Sequence, residues 1–347
     1  EYTDENGKIQ FYENEVDNYQ QDHYQLHWNE RYNNYWSTNL ALNYTYGRGY
    51  FEQYKEDEPL SDYGLDDVII GGEIITETDL VRRRWLDNDF YVVNANANYK
   101  KGGLDAIFGG SYSFYDGDHF GEIIWAQFAS NSMNTDHYYD SNGKKTDLSF
   151  FGKANYRLNQ KISLFVDLQL RLVDYKTTGL TSDRVPLLVD ENYTFFNPKA
   201  GLTYVINSSN SLYFSYARAN REPNRDDFEN NPDVQPEQLN DFELGWRYQN
   251  DAFRINANTY FMLYNEQLVL TGNIDNVGNP IRTNSGESYR IGLEVEAAIP
   301  LGKKFALQPN MTISINKNKE TITSIDGELV NLGKTDISFS PDPVSYT

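Results

Sequence analysis

No cysteine occurs among the 347 residues. That excludes disulfides, zinc–thiolate sites and thiol nucleophiles. Basic residues are scarce beside acidic ones, 30 Lys and Arg against 51 Asp and Glu, for a net charge of −21. A nucleic-acid binder normally presents a basic face, so no nucleic-acid partner is expected. Long apolar runs are missing as well. Mean hydropathy is −0.70, and no stretch approaches the roughly 18–20 apolar residues of a membrane helix. A helical membrane protein is therefore excluded. A membrane β-barrel is not, because alternation halves the apolar content of each strand. Glu1 to Gly7 are acidic and polar, without the basic and apolar regions of a signal peptide; a mature or shortened exported chain would look the same. No Gly-rich phosphate loop, nucleophile elbow or zinc-hydrolase helix motif occurs, so no catalytic residues and no cofactor are expected.

Aromatic residues are plentiful: 28 Tyr, 19 Phe and 5 Trp. Period-2 alternation recurs along the whole chain. In Ser37 to Tyr46 one face carries Thr38, Leu40, Leu42, Tyr44 and Tyr46, the other Ser37, Asn39, Ala41, Asn43 and Thr45. Leu164, Val166, Leu168, Leu170 and Leu172 likewise oppose Ser163, Asp167, Gln169 and Arg171. A strand sends such sets to opposite faces, and helical spacing fits neither segment. The pattern predicts strands near 20–32, 35–46, 85–99, 104–115, 147–158, 162–176, 194–206, 211–219, 239–249, 252–265, 287–299 and 305–318, with a thirteenth beginning near Asp336.

Short connections alternate with long ones, the long ones covering 47–84, 116–146, 177–193, 220–238, 266–286 and 319–335. All long loops then share one rim. Soluble sandwiches do not usually place every long loop at one end, and their strands average about 5–6 residues. Long tilted strands, tight turns on one rim, long loops on the other and aromatics at strand ends (Tyr44, Tyr46, Tyr99, Tyr112, Phe114, Tyr248) predict an all-β, transmembrane antiparallel barrel. The opposite faces bear Asn94, Asn96, Asn98, Gln169, Arg254, Asn256 and Glu294, which suit a wet or plugged lumen; a narrow soluble barrel buries apolar side chains instead. His23 and His27 fall on this polar face. A count near thirteen departs from the even counts of single-chain bacterial barrels, and Ser338 to Thr347 read as the start of a strand. Residues 1–347 are therefore expected to be one partial barrel domain, lacking strands at both ends.

Asp17 to Leu26 looks like a strand leading down from an external loop in one known family, and Lys153-Ala154-Asn155-Tyr156-Arg157-Leu158-Asn159 and Phe195 to Leu202 look like its central hairpins. More specific are Ala219-Asn220-Arg221-Glu222-Pro223-Asn224-Arg225-Asp226-Asp227-Phe228, Pro236 to Gly245, and the segment from Gln267 to Glu296. With these stretches the chain resembles the barrel region of TonB-dependent outer-membrane receptors along nearly its whole length. The resemblance implies a barrel of about 22 strands closed by an N-terminal plug, sited in the Gram-negative outer membrane. It implies import of a scarce nutrient, such as a siderophore–iron complex or vitamin, energised by the inner-membrane TonB complex. Implied partners are its own plug domain, the TonB complex, outer-membrane lipid and lipopolysaccharide, and a small-molecule ligand. Neither plug nor TonB box can be read in this sequence.

Candidate ligand-binding residues fall in two long loops. Asn220, Arg221, Glu222, Asn224, Arg225 and Asp226 stand together; paired Arg forks can grip a carboxylate or phosphate-like group. Alternatively, Glu222, Asp226, Asp227 and Glu229 neutralise the two Arg within the loop and fold it or fix the plug. His119 and His137 share a loop with Asp116, Asp118, Glu122 and Asp140. Such a set can take a transition metal or an iron complex, although its spacing is not that of a zinc site and no metal is assigned. Tyr50, Phe51, Tyr54, Tyr63, Trp125, Phe128, Tyr138 and Tyr139 can stack on a ligand or only pack the loops. The acidic runs 52–67 and 226–233 lack EF-hand spacing. The expected function is transport without enzyme activity. A passive porin, a TonB-dependent glycan importer, a barrel enzyme and an adhesin are the alternatives.

Overall fold

The computed structural model describes residues 2–3, 6–10, 15–133, 136–274, 280–302, 304–325 and 328–340. Its long strands are β1 (Val16–Arg31), β2 (Trp36–Pro59), β3 (Glu77–Lys101), β4 (Leu104–Ala126), β5 (His137–Arg157), β6 (Ile162–Leu180), β7 (Pro186–Asn207), β8 (Asn210–Arg221), β9 (Glu237–Gln249), β10 (Arg254–Asn265), β11 (Ser288–Leu301), β12 (Asn310–Ile325) and β13 (Glu328–Asp336). They form one antiparallel sheet in which each strand pairs with its neighbours in the chain. Every connection is thus a hairpin, and tight turns and larger excursions fall on opposite rims. The turns at Asn33 and Asn250 share one rim; the segment from Asn220 to Asp233 lies on the other. β1 and β13 are the two edges and do not pair with each other.

Among the described residues the sheet has no apolar partner layer. Leu164, Val166, Leu168, Leu170 and Leu172 of β6 are each 37–46% exposed. Their counterparts Leu202, Phe214, Leu244, Phe261, Leu293 and Ile313 are open in the same way. In water this face would be an aggregation surface; in hydrocarbon it is the required one. Aromatic rings mark its two borders. At the tight-turn end Trp36 lies 4.7 Å from Tyr99 and 6.0 Å from Phe108, between ring centroids. At the other, rings of Tyr24, Tyr44, Tyr91 and Phe114 follow one another at 5.8, 4.8 and 6.4 Å. From Trp36 to Tyr44 is about 26 Å along the strand, or about 20 Å of height at a tilt near 40°. That matches the apolar band of an outer-membrane barrel. The reverse face is amide-rich and bonded to itself, as in Asn39 Nδ2 to Asn96 Oδ1 (2.8 Å) and Gln25 Nε2 to Asn43 Oδ1 (3.1 Å). His23 lies on it, 2.9 Å from Thr45 Oγ1.

The strands run well beyond the expected boundaries. β2 and β3 stay paired out to Pro59 and Glu77, β4 and β5 to Glu122 and His137, β6 and β7 to Leu180 and Pro186. Much of what the sequence suggests as loops at 47–84, 116–146 and 177–193 is therefore two-stranded ribbon standing above the membrane. Polar and aromatic residues on both faces erase the alternation there, while cross-strand contacts such as Arg83 Nε to Glu52 Oε2 (2.7 Å) hold the ladder. The hydrophobic cores sit at this level. Leu60, Tyr63, Leu65, Leu80, Ile123, Tyr138 and Tyr139 form one; Tyr175, Leu187, Val189, Phe228, Val234 and Leu268 form the other. At the ribbon tip Gly71 and Gly72 take φ of 64° and 96°, a hairpin turn that glycine adopts without the strain other residues meet there.

Two further boundaries differ. Phe305–Leu307 pairs separately with β11, and β12 begins at Asn310, after Pro309, which has no N–H to donate. The thirteenth strand ends at Asp336 rather than beginning there, because 319–335, expected as a loop, is mostly the β12–β13 hairpin. Residues 337–340 leave the sheet; the rest of the strand expected at Ser338 to Thr347 lies outside the described residues.

The lipid-facing assignment predicts that Leu168→Lys, mid-strand on the apolar face, destabilises the full-length barrel in lipid vesicles by about 2–4 kcal/mol. Gln169→Lys, one residue away on the polar face, should cost far less. Urea unfolding compares the two; equal costs would contradict the assignment.

Candidate functional site

Across β5 to β9 the polar face becomes a connected wall. Paired backbone between β7 and β8 stops at Lys199 and Ala217. Beyond it β7 continues with β6, and β8 with β9. Side-chain amides bridge the parting. Gln169 Nε2 donates to Ser149 Oγ (3.2 Å), Asn197 Nδ2 to Gln169 Oε1 (3.1 Å), Asn220 Nδ2 to Asn197 Oδ1 (2.8 Å) and Gln238 Nε2 to Asn220 Oδ1 (3.0 Å). All four bonds run in one sense across β5 to β9, so each polarises the next.

Charges lie directly above this belt. Glu222 follows β8 and turns back to the wall, where Arg171 reaches it with Nη2 (3.0 Å) and Nη1 (3.3 Å) and Lys145 Nζ with a 2.6 Å bond. Arg171 Nε also donates to Asp147 Oδ2 (3.1 Å). Burial alone would raise the Glu222 carboxyl; Lys145, a backbone N–H and Arg171 outweigh it and hold the group below the ordinary 4.5.

A short helix, α1 (Arg225–Asn230), hangs from this anchor. Asn224 caps it by accepting from the Asp227 N–H, and Asp227 accepts from the Asn224 N–H, each at 2.9 Å, a reciprocal capping box. The same carboxylate takes a two-pronged grip from Arg282, at 3.0 and 2.9 Å, from the strand Pro280–Asn284 of the next hairpin. Phe228 is buried in the second core. The segment is folded and pinned on three sides.

Beside and beneath α1 lies a cavity of about 720 Å³, lined among others by Tyr19, Phe51, Arg84, His119, Tyr139 and Arg225. Arg225 is held by Glu229 Oε1 (2.6 Å) and Ser141 Oγ (2.9 Å), yet its buried Nη1 has no partner. Arg84 is 7% exposed, and its buried Nε is also unpartnered; Phe51's ring lies 5.9 Å from its guanidinium carbon. Burial, reinforced by Arg225, pushes the His119 imidazole down to about 4, so it is neutral at pH 7. Burial and Tyr138 raise the Tyr139 hydroxyl, while Arg84, Arg225 and Arg82 pull the other way. Three guanidinium groups therefore lie within electrostatic range of one phenol.

The sequence-derived candidates separate in the structure. Arg225, Asp226 and His119 line the cavity. Asn220 belongs to the amide belt, Glu222 to the charge cluster and Asn224 to the helix cap. Arg221 is half exposed and reaches Glu237 Oε2 at 3.3 Å. The expected neutralisation inside the loop holds for Arg225 with Glu229; Glu222 and Asp227 pair with other segments. His137 and Trp125 lie elsewhere. His137 stacks on Phe120 (4.2 Å) with Asp140 Oδ2 at 2.6 Å, on the face opposite His119, because register puts it across from Glu122. Trp125 is 49% exposed on that outer face, stacked on Tyr54. A shared His119–His137 metal site is therefore ruled out by strand parity. Among the described residues no group of three or more potential ligands converges. Phe51 and Tyr139, two of the aromatics expected to stack on a ligand or pack the loops, line the cavity. Arg84 and Tyr19 stand outside the sequence-derived candidates, although Arg82-Arg83-Arg84 carries a signal: alternation puts the first and third on one face.

A family model described as TonB dependent receptor-like, beta-barrel matches residues 1–342. No curated protein matches the chain in sequence. Among solved structures it is similar to the ferric-catecholate import receptor Fiu of E. coli K12, with 12% identity over 89% of this chain and 49% of that one and a TM-score of 0.60. It is similar also to the copper transporter OprC (13%, 86% and 46%, 0.65) and to the ferric yersiniabactin uptake receptor FyuA of Yersinia pestis (14%, 85% and 42%, 0.55). The chain spans about half the length of these structures, and at such identities the likeness establishes the fold.

Two outcomes test the α1 anchor. Asp227→Ala strands Arg282 and removes the Asp227 half of the capping box, and should lower the opening free energy of the 225–231 amides by about 3 kcal/mol in hydrogen exchange; protection equal to wild type would contradict it. Acidification should act the same way. A histidine held neutral contributes stability that is complete above 6.5 and declines as pH falls from 6.5 toward 4. Glu222, depressed by its cations, loses its contribution only below 4.5. Protease resistance of the segment should be flat above pH 6.5 and fall below it, and His119→Gln should remove the upper part of that fall.

Proposed function

The chain belongs to the β-barrel family of TonB-dependent receptors, and from that premise we propose that it is one wall of an outer-membrane import receptor that captures a scarce small ligand in the cavity beneath α1. The family's place in the outer membrane agrees with the apolar band and its two aromatic borders. The missing wall, an N-terminal plug and the contact with the TonB complex belong to the rest of the protein, which closes a barrel of about 22 strands.

The observation that carries the reading is the position of the cavity. It opens at the rim opposite the tight turns, on the lumen face, and is walled by the pinned helix together with the 181–185 connection. A ligand settling there contacts α1, and through Glu222 the wall at Lys145 and Arg171. Binding at the rim is thereby connected to the polar interior where the plug sits. Capture and release need no covalent chemistry, so the protein acts without enzyme activity. Three similar structures named as ferric-complex receptors, Fiu, FyuA and the ferric citrate transporter FecA, support an iron complex as the first ligand to test.

The full-length protein, expressed in a strain lacking its own iron receptors, should support growth on a ferric chelate under iron limitation. Growth should vanish when TonB is deleted. Growth independent of TonB, with ion conduction by the purified protein in planar bilayers, would mark a passive porin instead.

A further inference from the structure

We propose that the cavity beneath α1 takes an organic oxyanion, a small ligand whose carboxylate or phosphate groups dock between Arg84 and Arg225. The inference rests on the receptor reading of the same cavity and names the chemistry of its ligand.

A guanidinium removed from water is costly unless its charge is met. Arg84 is 7% exposed. Among the described residues it donates no hydrogen bond and joins no ion pair; its contact is the Phe51 ring. Arg82, two residues earlier on the same face, shows what a structural arginine does here: Nη1 donates to Tyr63 Oη and Nη2 to Gln53 Oε1, each at 3.0 Å. Arg84 has no such partners. Arg225 is half engaged, with Glu229 on Nε, Ser141 on Nη2 and nothing on the buried Nη1. Two arginines from segments far apart in the chain thus line one cavity, each with a buried donor nitrogen that meets no partner. Fork-shaped donors of this kind match carboxylate and phosphate geometry. His119 beside them is neutral and adds a polar edge without a competing charge.

Size and lining agree. About 720 Å³ falls within the roughly 300–1,000 Å³ of small-molecule sites. Phe51, Tyr19 and Tyr139 provide apolar and ring surface for the rest of the ligand. Asp17, Asp183, Asp226 and Glu229 line the same cavity, and Glu229 is committed to Arg225, while Nε of Arg84 and Nη1 of Arg225 stay without partners. The competing occupant is an acid of the protein's own plug reaching up to Arg84.

Calorimetric titration of the full-length receptor separates these cases. The probes are citrate, ferric citrate, inorganic phosphate and a neutral ferric trihydroxamate, with wild type, Arg84→Gln and Arg225→Gln. The expected result is binding of at least one anionic probe that weakens with salt and falls by about thirtyfold or more in each variant, the scale for removing one member of a desolvated charge pair. Citrate against phosphate distinguishes the two oxyanion sources. Binding of the neutral chelate, unchanged in both variants, would overturn the oxyanion assignment and leave the receptor reading intact. Unchanged anion binding in Arg84→Gln together with lost protease protection of the plug would show that the plug meets Arg84, and would also overturn it. Failure of every probe to bind would count against both readings.

Discussion

Backbone hydrogen bonding in hydrocarbon is the constraint from which this architecture follows. An N–H or C=O left unpaired in lipid costs several kcal/mol, so a spanning chain that is too polar for helices must pair every strand with a neighbour. Each strand here pairs with the next in sequence, out to the two edges. Once that pairing is set, side chains have two destinations. One set faces lipid and is leucine, phenylalanine and tyrosine; the other faces a wet interior and is amide, hydroxyl and charge. The aromatic borders at Trp36 and Tyr44 sit where the lipid-facing set meets water, since a tyrosine or tryptophan ring suits an environment apolar on one side and wet on the other.

The interior then has a hydrogen-bonding problem of its own. Polar side chains on a wall must be satisfied by one another, by water or by whatever fills the lumen. The belt from Ser149 to Gln238 satisfies five of them at the height where β7 and β8 part, and it spans that parting. The cluster of Lys145, Asp147, Arg171 and Glu222 above it ties the α1 segment to the wall. Two of the buried side-chain nitrogens left without partners, Nε of Arg84 and Nη1 of Arg225, belong to residues that line one cavity.

Much of the fold was legible because a period-2 pattern is local: lipid and lumen impose opposite chemistry on alternate residues. The pattern failed where that contrast ends. Above the membrane both faces of the ribbons meet water or protein, so Arg83, Glu52 and Tyr50 replace the alternation and the strands read as loops. A family resemblance in Asn220 to Phe228 drew attention to the α1 segment, and Arg225, Asp226 and His119 do line the cavity. It could not show that Asn220 and Glu222 serve the wall. His119 and His137 were grouped because they are near in sequence, yet one residue's difference in parity, with a register shift at Gly121, puts them on opposite faces.

The amino-acid sequence by itself determined that this chain is a sheet with a lipid side and a wet side, that tight turns and long excursions lie on opposite rims, and which side chains each face receives. Those properties depend only on the geometry of a single extended strand. The convergence of Arg84, Tyr139, His119 and Arg225 on one cavity was decided by the tertiary structure alone. It requires the register of several strand pairs and the inward fold of α1, and register is set between strands rather than within them.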